Sequence, residues 1–69
     1  MSCEEKARLV KEYHVATLEF SEAVEQLHRR IGTSPKGEYE RLERISNEAR
    51  IKSEQTRLAL ERHIATHRC

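Results

Sequence analysis

A chain of 69 residues holds one domain at most, and with 36% hydrophobic and 36% charged residues its core must be thin. Thirteen basic and twelve acidic residues are interleaved to a net charge of +1, which argues against a nucleic-acid surface, where Lys and Arg cluster to displace counterions from phosphates. No apolar run approaches the roughly 20 residues that span a bilayer, and the opening MSCEEKARL lacks an apolar signal core, so the cytoplasm is the expected compartment.

The first element announces its start. Ser2 and Glu5 have the S-x-x-E spacing of a capping box, in which each side chain accepts from the other's backbone N–H. Glu4 and Glu5 put negative charge where the helix dipole is positive. Apolar positions then run Val10, Tyr13, Thr17, Phe20, Val24, Leu27 and Ile31. Their gaps alternate four and three, a heptad seam with one polar member. Leu9, Ala16 and Ala23 widen the seam on one side. The stop is equally plain. Gly32 follows Ile31, and Gly is the usual left-handed residue just past a helix end. His28, Arg29 and Arg30 fall in the last turn, where cations suit the negative end of the dipole, so this small basic cluster reads as charge compensation.

The connection is GTSPKG, residues 32–37. Ser34 suits an N-cap and Pro35 the first helical position, where a missing N–H costs nothing. The second element has no Gly or Pro beyond Gly37. Its best face reads Leu42, Ile45, Ala49, Ser53, Thr56, Leu60 and Ile64, with Tyr39 at its start. So short a loop between two long helices makes them antiparallel neighbours. The expected fold is all-α: one antiparallel two-helix hairpin over residues 1–69, a short coiled coil, pairing into a four-helix bundle. Helix 1 covers about 3–31, the turn 32–36 and helix 2 about 37–67. Folding at the turn sets Phe20 level with Ser46 and Ala49, and Tyr13 level with Ser53 and Thr56. Bulky side chains meet small ones, so the helices can approach closely.

Four apolar residues do not fit this seam. Val15 and Leu18 lie roughly opposite it on helix 1, and Ile51 and Leu58 roughly opposite it on helix 2. Two helices of this composition bury little area alone. The four are therefore candidate self-association residues, and a homodimer is the expected state.

The open end of the hairpin is polar where the rest of the seam is apolar. Extending the seam backwards gives Cys3 on helix 1, and extending Leu60 forwards gives His63 and His67 on helix 2, with Cys69 just beyond. Four readings compete. Cys3 and Cys69 can form a disulfide that staples the termini, an effect of roughly 4 kcal/mol for so long a loop. Cys3, His63, His67 and Cys69 can make a tetrahedral zinc site, since His at i and i+4 share a face, although no C-x2-C knuckle is present. Cys3 near a helix N-terminus can be a reactive thiol. Finally, His63 and His67 can simply complement the helix end with Arg62 and Arg68.

No phosphate-binding loop, nucleophile elbow or H-E-x-x-H motif occurs. The sequence therefore points away from an enzyme. Its leading reading is a structural or protein–protein interaction module that self-associates through helical faces, with a protein partner conceivable and neither nucleic acid nor membrane expected. No cofactor is expected other than zinc. The alternative is a small metal-binding or thiol-redox protein using the Cys3/His63/His67/Cys69 end.

Overall fold

The computed structural model describes residues 3–33 and 35–67, with His67 described by its backbone alone. Two helices, α1 (Glu4–Arg30) and α2 (Lys36–His67), pack side by side as an antiparallel hairpin. No strand occurs among the described residues. The molecule measures 53 × 14 × 11 Å, which is the length of one long helix and the width of two.

The helix ends follow local chemistry with small shifts. The N-cap of α1 is Cys3, without a side-chain cap hydrogen bond. The expected cap, Ser2, lies outside the described residues. Glu4 and Glu5 occupy the first turn and His28, Arg29 and Arg30 the last, as the dipole favours. The chain then turns tightly. Ile31 is extended at φ −60° and ψ 125°, Gly32 has φ +78°, and the Thr33 N–H donates to the Arg30 carbonyl over 3.2 Å. This is the pattern of a type II turn, whose third residue needs positive φ and so favours Gly. Pro35 stands just before α2, one position earlier than expected, and its carbonyl accepts from the N–H groups of Glu38 and Tyr39.

Packing corrects the expected seam on both helices. On α1 the buried residues are Leu9 and Ala16, with Tyr13, Phe20, Ala23 and Leu27 half-buried beside them. Val10, Val24 and Ile31 are exposed. On α2 the inward residues are Tyr39, Leu42, Ser46, Ala49, Ser53, Thr56, Leu60 and His63, an unbroken three–four alternation. Ile45 and Ile64 are exposed, and Ser46 and His63 take their places. Size explains the rotation. Ala16, Ala23, Ser46, Ala49 and Ser53 are small, so turning them inward lets the two backbones approach and lets Tyr13 and Phe20 fill the space between. The branched residues sit one position to the side. They would hold the helices apart.

Cross-helix ion pairs agree with this register. Arg30 reaches Glu38 beside the turn (3.3 Å) and Lys52 reaches Glu19 midway (3.8 Å). Other pairs run along single helices, as with Arg8–Glu12, Arg50–Glu54 and Arg57–Glu61. These exposed pairs contribute a few tenths of a kcal/mol each, roughly 0.3–0.5.

Val15, Leu18, Ile51 and Leu58 are all exposed. Leu18 projects from the outer side of α1, whereas Ile51 and Leu58 project from the outer side of α2, and these sides point away from each other. Val15 borders a shallow groove shared with Arg8, Ala16, Lys52 and Thr56. The four lie on different faces of the hairpin.

Candidate functional site at the open end

The hairpin brings the first turn of α1 against the last turns of α2. His63 occupies an inward heptad position and is only 6% exposed. Its ring spans to α1 in two directions. Nε2 lies 2.9 Å from the Sγ of Cys3, and Nδ1 lies 3.8 Å from the Oε2 of Glu5. Thr66 donates its hydroxyl to the carbonyls of Arg62 (2.9 Å) and His63 (3.3 Å), so its polar atom is satisfied within α2. Leu9, Ala59 and Arg62 complete a shallow recess with Glu5, His63 and Thr66. Lys6, half-buried, occupies the next inward position of α1.

The expected meeting of Cys3 and His63 is therefore present. The side chain of His67, and Cys69 altogether, lie outside the described residues. Cys3 is not a free thiol, and its candidate bridging partner, Cys69, is among the residues outside the description. The contact distance bears on the zinc reading. Two ligands of one tetrahedral zinc, with Zn–S near 2.3 Å and Zn–N near 2.0–2.1 Å, stand about 3.6 Å apart. Cys3 and His63 are closer than that and touch directly. No group of three or more His, Cys, Asp or Glu side chains arranged to hold a metal occurs among the described residues.

Glu5 is the member that the sequence pattern missed. Its place in an S-x-x-E motif assigned it to helix capping, yet its carboxylate faces the His63 ring across the hairpin. Register is the signal that could have found it, because the residue level with Glu5 on α2 is His63.

What this end can do follows from its parts. A buried imidazole held between a sulfur and a carboxylate ties the first turn of α1 to the last turns of α2. No helix among the described residues is long and apolar enough to cross a membrane. Comparison with protein-family models, with curated proteins and with solved structures finds no match to this chain.

Proposed function

We propose that the chain is a non-enzymatic structural or protein–protein interaction module that self-associates, as a homodimer, through exposed helical faces. One observation carries this reading. The hairpin exposes 5519 Å², whereas a compact monomer of its 8.1 kDa mass exposes about 4,500 Å². The surplus, about 1,000 Å², is close to the roughly 800 Å² that each partner contributes to a standard interface. The exposed surface includes large apolar side chains: Val10, Leu18, Val24, Ile45, Ile51, Leu58 and Ile64 are each at least 43% exposed. A cytoplasmic location belongs to the same proposal.

A partner that binds only the folded chain stabilises it by mass action. The melting temperature followed by far-UV circular dichroism should therefore rise by several degrees between about 5 and 500 μM chain. A melting temperature unchanged over that range would count against self-association.

A second reading draws on the meeting of Cys3, which is not a free thiol, with the buried His63. In it the open end is a thiol-redox or metal-binding clasp, with a Cys3–Cys69 bridge as its oxidised form. Reduction of that bridge would add two hydrogens to the intact mass and lower the melting temperature. A mass and a melting temperature that both ignore reductant and chelator would remove this reading.

A further inference from the structure

α1 carries eleven Lys, Arg and Glu residues among its 27, so any long uncharged stripe on it stands out. One exists outside the seam. Val10, Thr17 and Val24 occupy one heptad position, and Ala7, His14, Ser21 and His28 the position beside it. Their spacing alternates three and four from residue 7 to residue 28, about 32 Å of helix. None is Lys, Arg, Asp or Glu. All are exposed except Thr17, which is half-buried. The seam itself is less clean, since Lys6 lies within it. The outer faces are worse: Leu18 is flanked by Glu22 and Glu25, Leu58 by Glu54 and Glu61.

The branched members of the stripe, Val10, Thr17 and Val24, are symmetric about Thr17. Laid antiparallel on a copy of itself about Thr17, it sets Val10 opposite Val24, Ala7 opposite His28, and His14 opposite Ser21. Thr17 meets Thr17 at the two-fold, the flanking Val10 and Val24 meet each other, and the remaining layers set a histidine against Ala7 or Ser21. An isologous interface requires this self-complementarity. Thr17 already donates its hydroxyl to the His14 carbonyl (2.8 Å), so it can be covered without stranding a donor. Arg50 and Arg57, on the flank of α2 that borders the stripe, are engaged with Glu54 and Glu61 of their own helix.

The stripe lies about 100° around α1 from the seam. That angle puts α2 and a further helix on adjacent sides of α1, as neighbours sit in a four-helix bundle. Resting on the self-association reading above, we infer that a second copy of this chain docks on this stripe, α1 against α1, antiparallel about a two-fold axis at Thr17. Val10 of each copy meets Val24 of the other.

Charge placed at those two positions tests the register by sedimentation velocity on the full chain. Val10→Glu alone sets an acidic group against Val24, and Val24→Lys alone sets a basic group against Val10. Each should weaken dimerisation at least about tenfold, because a lone charge is desolvated in the interface. The double variant Val10→Glu/Val24→Lys should recover to within about threefold of the parent, because each introduced carboxylate now meets an introduced ammonium across the two-fold. Both positions are over 40% exposed in the hairpin, and recovery in the double variant also shows that the chain still folds. A double variant weaker than either single would overturn the antiparallel register. A parent dimer that ignores both single changes and is broken by Leu58→Lys would place the interface on the outer face of α2 and overturn this inference, leaving self-association intact. A parent that is monomeric at every concentration removes both.

Discussion

Ala16→Leu should lower stability by about 1–3 kcal/mol, the usual range for forcing methylenes into a packed interior. Ala16 is 1% exposed, the most buried residue described. It borders Thr56 and Lys52 across the hairpin, and the seam of α2 at that height is Ser53 and Thr56. A leucine there has no room unless the helices move apart, which would also loosen Tyr13 and Phe20. For a chain this short each kcal/mol corresponds to roughly 4–8 °C in melting temperature, so a thermal melt resolves the effect easily. Val15→Leu, at the adjacent exposed position, should stay within about 0.5 kcal/mol and serves as the control. An Ala16→Leu chain as stable as its parent would mean that close approach of the helices is not what holds the seam.

The second large effect concerns the open end. His63→Ala should destabilise the chain by about 1–3 kcal/mol, since it removes a buried ring and the contact to Cys3 and Glu5 together. Urea titration at constant chain concentration reads this as a lower midpoint with a similar slope. His63→Leu separates the causes. It keeps most of the volume next to Leu9 and Leu60 but discards the polar contacts. If packing dominates, the Leu variant recovers most of the loss or exceeds the parent, because an apolar residue of similar shape often replaces a buried polar group without penalty. If the contacts to Cys3 and Glu5 dominate, it remains near the Ala variant. An unchanged midpoint for His63→Ala would show that the ring contributes nothing to closing the end.

Much of this architecture was legible in the sequence because it depends on local signals. Gly32 marks a turn that needs positive φ, and acidic and basic residues sort to opposite ends of α1. The turn fixes the register, and the register brings Cys3 to His63 without further information. The rotation of the helices about their own axes was less legible. Apolarity favours Val10, Val24, Ile45 and Ile64 as inward residues, and all four are exposed. Ser46 is buried instead, in line with Ser53 and His63, which the seam already included. What decides is how close two backbones can come, a property of paired positions on two helices. A periodicity read from one helix at a time cannot contain it.

Val10 and Val24, left out of the hairpin seam, fall on the uncharged stripe of α1, where the proposed dimer puts its contact. That a folded hairpin is half of an assembly is the central claim, and sedimentation equilibrium from low to high micromolar chain tests it most directly. A mass twice the 8.1 kDa of the chain, dissociating reversibly on dilution, is the expected result. A fully helical species that keeps the mass of one chain at every concentration would contradict it.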